Sequence, residues 1–307
     1  MEVARFTKAL DALIARVKGD RAILAAMLCG SLAHDRVWAR SDIDLVLVTI
    51  DDSKVEPGSL SIDADGVNVH ATLLPRAAFR RLAEGATRNS FMHSLLAKGR
   101  LLYTHDESIT GMCERLRDLG DRDAQVLALG AATEALSCLY KARKFFITRG
   151  DLEYSALWIL AAATPLARIE VMSHGRLADR EVLPQALQLN PDFFTTVYTR
   201  LLNERKTTAT VEGALAAVDA WLAKRTPAFA EPIVAYLRDA GEARGATEID
   251  AHFQRTMGVE HVSGACEYLA DQGVIGRAAI AARLTRKSTA DVQELAFYAL
   301  VPPPDEF

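Results

Sequence analysis

The sequence predicts an α+β protein in three parts: a small mixed-sheet domain over residues 1–105, a central helical bundle over 106–226 and a C-terminal winged-helix-like domain over 227–307. Three observations predict it. The first hundred residues set one amphipathic helix among several short apolar runs of strand length. From Arg76 the apolar period becomes helical and stays so. Beyond the two prolines of residues 226–232 come three short helical stretches and a hairpin pattern, which is winged-helix order. At 307 residues the chain is longer than one ordinary domain of roughly 100–150 residues.

Phe6, Leu10, Leu13, Ile14 and Val17 recur at three- and four-residue intervals, so residues 3–18 form an amphipathic helix that ends at Gly19 and lies across the sheet. Residues 23–29 read as a strand, 31–40 as a turn with a short helix, and 42–50 as a second strand. A loop rich in Asp, Ser, Pro and Gly then leads to two strands, 60–62 and 67–74, about a turn at 63–66. Helices follow at 76–84, 90–97, 108–118, 123–148, 152–173, 193–203 and 209–224. Trp158 and Trp221 sit on apolar helical faces and belong to the core. The last domain is expected to hold helices at 233–239, 247–257 and 259–271 and a hairpin of 274–284 with 291–300.

Composition excludes several classes. Half the residues are hydrophobic and a quarter are charged, an ordinary globular balance that rules out a fibrous or disordered chain. A net charge of −4 argues against a whole-surface nucleic-acid binder, though not against a local basic patch. Cys29, Cys113, Cys138 and Cys266 are far apart, form no Cys-x-x-Cys pair and stand in apolar contexts, as buried thiols of a reducing compartment do. The first twenty residues lack the apolar run of a signal peptide, and no stretch reaches ~18 consecutive apolar residues. A cytoplasmic protein with no membrane partner is expected.

The chemistry is concentrated in residues 27–50, MLCGSLAHDRVWARSDIDLVLVTI. Asp42 and Asp44, two apart on a predicted strand, project from one face about 7 Å apart along the backbone. Such a pair suits magnesium, which takes oxygen ligands and keeps positions open for phosphates. Gly30 allows close backbone approach, and the amides after Ser31 can donate to a phosphate. Arg36 and Arg40 are candidates to neutralise phosphate charge. His34 reads as a surface residue.

Gly30-Ser31, ten intervening residues and Asp42-Ile43-Asp44 resemble the signature of the DNA polymerase β-like nucleotidyltransferase superfamily. The resemblance implies a nucleoside triphosphate as substrate, its phosphates held by Gly30, Ser31 and Ser41. It also implies one or two Mg2+ ions on Asp42 and Asp44 as metal ligands and catalytic residues. It places a third carboxylate in residues 67–71, VNVHA, yet the two side chains on the matching face are Asn68 and His70. Asparagine cannot take a proton from an attacking hydroxyl, whereas histidine titrates near neutrality and can. Asp63 and Asp65 lie in the predicted turn and are assigned to it.

The layout as a whole resembles the bacterial "nucleotidyltransferase-like" family. The resemblance rests on the run from His70 through Pro75 and Phe79, on the helices holding Lys141-Ala142-Arg143 and Leu166-Ala167-Arg168, and on the winged-helix-like end. It implies a helical substrate-binding-type domain, with Lys141 as a candidate nucleotide contact. Lys141, Arg143 and Lys144 read equally as a solvated helix face. The expected reaction transfers a nucleoside monophosphate to an unknown acceptor with release of pyrophosphate. The alternative is a catalytically impaired nucleotide-binding or regulatory module acting through the C-terminal domain. Arg277, Arg283, Arg286 and Lys287 make the wing basic, but the expected third helix is poor in Arg and Lys and carries Glu260 and Glu267. Nucleic acid is therefore not the favoured partner of that domain; a protein contact, such as a homodimer, is.

Overall fold

The short apolar runs of the first hundred residues pair into one sheet. In the computed structural model, which describes residues 2–34, 37–51, 58–84, 95–117, 121–178, 181–285 and 287–300, the strands are β1 (Ile23–Cys29), β2 (Ile43–Thr49), β3 (Gly58–Ala64), β4 (Val67–Pro75) and β5 (Arg100–Thr104). Their order is β3-β4-β2-β1-β5, with β2 and β4 parallel and the other neighbours antiparallel, so the sheet is mixed. β5 is an element the sequence pattern does not announce.

Helix α1 (Glu2–Val17) buries Phe6, Ala9, Leu10 and Leu13 against Leu28, Ile43, Leu45, Leu47, Val69 and Ala71. Arg5 Nη2 donates to the carbonyl of Gly66 at 2.9 Å and ties α1 to the β3–β4 turn. Alternation sends Met27 of β1 to the opposite face, where Cys113 of α3 (Glu107–Arg117) lies 3.9 Å from it. α2 (Arg76–Ala83) buries Phe79, Leu82 and Ala83.

The chain divides into two units, Met1–Leu119 and Gly120–Phe307. In the second, α4 (Asp121–Arg149), α5 (Leu152–Ser173), α6 (Val182–Leu189), α7 (residues 191–203, with a π-helical segment Thr195–Arg200) and α8 (Thr208–Ala240) form the helical part. α5 has the length and apolarity to cross a membrane, but 67% of its most apolar 18-residue window is buried inside the protein, which makes it the bundle's core helix. Glu170 of α5, 1% exposed, accepts from Trp221 Nε1 at 2.8 Å and Arg225 Nη2 at 2.7 Å, pinning α5 to α8.

The expected helix break at residues 226–232 is absent: α8 runs through Pro227 and Pro232. A proline costs about 3 kcal/mol inside a helix. Burial of Phe229, Ala230, Ile233 and Leu237 on one stripe offsets that cost. Thr207 and Thr210 cap the start reciprocally, and Gly241, in the left-handed conformation at φ 67°, ends the helix. Beyond it, α9 (Ala246–Met257), α10 (Val262–Asp271) and a three-stranded sheet ordered β6-β8-β7 (β6 Arg244–Gly245, β7 Ile275–Ala282, β8 Val292–Ala299) complete the chain. Phe253, Cys266, Leu269 and Phe297 belong to the same core as Leu139, Ile159 and Trp221, so these elements and the bundle share one interior.

Candidate functional site

Strand alternation decides which polar side chains meet. On β4, Val67, Val69 and Ala71 are buried while Asn68 and His70 are exposed. On β2, Ile43 and Leu45 face α1, which leaves Asp44 on the face that carries Asn68 and His70. The parallel register sets Asp44 opposite His70. β3 adds Ser61 opposite His70 and Asp63 opposite Asn68.

Asp42 falls one residue before β2, not on it as the sequence predicts, because the ladder begins at Ile43 paired with Val69. Its Oδ2 lies 3.0 Å from His70 Nε2. Asn68 Nδ2 lies 3.1 Å from the same nitrogen. One ring nitrogen serves one of these partners: carrying its proton it donates to Asp42, and bare it accepts from Asn68. Asp42, His70 and Asn68 are thus coupled through the histidine tautomer.

Gly30 holds Asp44 at close quarters. Its φ is +66°, and a Cβ built there would stand 2.9 Å from Cγ of Asp44 and overlap the carboxylate. Only glycine meets both conditions. The helix expected after it is a four-residue 3-10 turn, Ser31–His34, anchored by buried Leu32 in the α1 core. Cys29 pairs with Asp44 across β1 and β2. Burial first, then the Asp44 charge, pushes its thiol up to about 12. It stays protonated at neutral pH and is no nucleophile.

The other candidates are placed as follows. Trp38 N donates to Ser41 Oγ at 3.0 Å, and Ser41 N donates to the Trp38 carbonyl at 2.9 Å, so Ser41 closes a turn just before Asp42. Arg40 is exposed on that turn, and Arg36 lies outside the described residues. Gly66 N donates to Asp63 Oδ1 at 3.1 Å, so Asp63 serves the turn through its side chain as expected, and Asp65 serves it through its backbone at φ 51°. Lys141 belongs to the second unit, its Nζ 4.1 Å from the Trp158 ring centroid. Trp38, 64% exposed, is a residue that sequence periodicity does not single out; its only signal is its place between the Gly-Ser turn and Asp42.

No family model matches the chain, and no curated protein matches it. Among solved structures the chain is similar in fold to a nucleotidyltransferase-like protein from Exiguobacterium sibiricum 255-15. The likeness has a TM-score of 0.61 at 16% sequence identity and covers 96% of this chain and 99% of that one. The fold is nucleotidyltransferase-like.

Within that fold, the two carboxylates next to His70 are those of Asp42, 3.0 Å from its ring, and Asp44, opposite it in the ladder. Among the described residues no group of three or more His, Cys, Asp or Glu side chains is placed to hold a metal ion. Two hard carboxylates beside a cradle that a Cβ would fill fit Mg2+, which needs few protein ligands and keeps the rest for water and phosphate.

Proposed function

We propose that the chain is a metal-dependent nucleotidyltransferase that moves a nucleoside monophosphate from a nucleoside triphosphate to an acceptor hydroxyl and releases pyrophosphate. The observation that carries this reading is the fit of Gly30 to Asp44, a glycine held at positive φ with the carboxylate where its side chain would be. Asp42 and Asp44 would hold Mg2+, which supplies charge neutralisation at the phosphates when bound. Gly30 and Ser31 present backbone to the triphosphate. His70, 3.0 Å from Asp42, is the group that takes the acceptor's proton. Catalysis rests on positioning and charge stabilisation.

The test is pyrophosphate release with each nucleoside triphosphate, Mg2+ and pools of small hydroxylated molecules, protein or RNA. Asp44→Asn is expected to abolish release with the fold retained by circular dichroism. Release that survives Asp44→Asn removes the metal assignment.

One observation favours a second reading: the exposed side chains of β4 next to Asp42 are Asn68 and His70, with no acid. A chain that binds nucleotide without turnover would signal through the C-terminal domain, read as a winged helix. Calorimetry showing triphosphate binding without pyrophosphate release in every acceptor pool selects this reading, and activity gained by Asn68→Asp marks the missing carboxylate as its cause.

A further inference from the structure

We propose that the outer face of the α4–α5 hairpin binds single-stranded nucleic acid. Between residues 140 and 149 of α4, the core takes Ala142, while Tyr140, Lys141, Lys144 and Ile147 are exposed. Rings and cations alternate along this face. Lys141 Nζ lies 4.1 Å from the Trp158 ring centroid, the Trp158 and Tyr154 centroids are 6.2 Å apart, and Tyr154 meets Phe145 edge-on at 4.4 Å. Arg149 Cζ then stands 5.1 Å over the Phe145 ring. The edge-on contacts hold the rings as a fixed platform, and Tyr140, 69% exposed, offers a further ring on α4 next to Lys141 in the chain.

Basic side chains outnumber acidic ones on this face: Lys141, Lys144 and Arg149 are exposed, and the acids at the hairpin turn are Asp151 and Glu153. Residues 140–149 and 154–161 contain no Asp or Glu. Arg143 turns inward to pair with Asp219 of α8, and Asp151 is occupied as the α5 N-cap, accepting from Tyr154 N at 2.9 Å. Lys141, Lys144 and Arg149 have no carboxylate partner among the described residues, whereas Arg168, Arg200, Arg225 and Arg244 of the same unit are all paired. Three unneutralised cations set among rings match a polyanion that also offers flat apolar faces. A single strand presents both, its phosphates to the cations and its bases to the rings. A duplex keeps its bases stacked inside, and an acidic polypeptide has none to stack. The face lies in the second unit, and Asp42 and Asp44 lie in the first.

The test is fluorescence anisotropy of the full chain with labelled 12-mer oligo(U) and oligo(dT) between 25 and 200 mM salt. Three phosphate contacts predict a slope of log K against log salt of about −2. Lys141→Gln with Lys144→Gln should reduce that slope to about −0.7. Tyr140→Ala should weaken binding at least about fivefold and leave the slope unchanged, because a stacking contact releases no counterions. Absence of binding at 25 mM salt overturns the proposal. So does affinity unchanged in the double Gln variant, or equal affinity for poly-glutamate or for a duplex of the same length.

Discussion

Two separate demands fall on the α-carbon of Gly30. The backbone there has φ +66°, which costs a residue with a Cβ about 1–2 kcal/mol. The same Cβ would also overlap the Asp44 carboxylate. Gly66 separates the two demands, since at φ +76° it has nothing within 4 Å of a built Cβ. Gly66→Ala should therefore lower the melting temperature by a few degrees and leave pyrophosphate release intact. Gly30→Ala should lower it further and abolish release, because Asp44 must move. Equal losses in the two variants would show that Asp44 is not held by Gly30. The juxtaposition of Gly30 with Asp44 is legible in the sequence because turn, spacing and strand pattern agree. The sequence does not reveal the Asp42–His70–Asn68 coupling, which needs the parallel register of β2 with β4, nor the burial that raises the Cys29 thiol.

Individual elements are held by contacts that no period encodes. The starts of α2 and α3 are joined at Asp106, whose carboxylate accepts from Ser108 Oγ at 2.6 Å, Arg76 Nε at 2.5 Å and Ser108 N at 3.0 Å. The Ser108 hydroxyl first, then Arg76, holds this carboxyl below the usual aspartate range. A depressed folded value means that stability is present above the unfolded value and is lost as pH falls through the folded one. Asp106→Asn should cost about 1.5–3 kcal/mol at pH 7, the worth of hydrogen bonds to a charged group. Urea unfolding of both proteins should show that gap closing as pH falls through and below the usual aspartate range; a gap constant with pH would show that the charge contributes nothing. The same dependence on tertiary contact explains where elements escaped the sequence. β5, RLLYT, lacks alternation, and pairing with β1 makes it a strand. The prolines at 227 and 232 read as a boundary, but buried Phe229 and Ile233 carry α8 across them. The strongly periodic stretches, α1, α5 and the β7–β8 pair, were legible because burial and pattern coincide there.

At the scale of the whole molecule, two of the hydrophobic cores among the described residues, one built on Phe6, Leu45 and Val69 and the other on Leu139, Leu166 and Phe253, have no residue in common. The four cysteines form no disulfide and fall two in each unit. Cys29 and Cys113 are buried in the first unit, Cys266 is buried in the second, and Cys138 is partly exposed. Burial raises the Cys29 thiol to about 12 and moves that of Cys266 in the same direction. Burial raises the Cys138 thiol as well, but it alone is partly exposed to a reagent, so at pH 8 the native protein should react at Cys138 alone. The structure around each buried cysteine must then open before it reacts. Pulsed alkylation across a urea series, read by peptide mass, should expose Cys29 and Cys113 together in one transition and Cys266 in another, each with its own midpoint. A single shared midpoint for all three would mean that the two units unfold in one cooperative transition. Reaction of Cys29 in the absence of urea would mean that the strand carrying it, next to Gly30 and Asp44, opens locally in the native state.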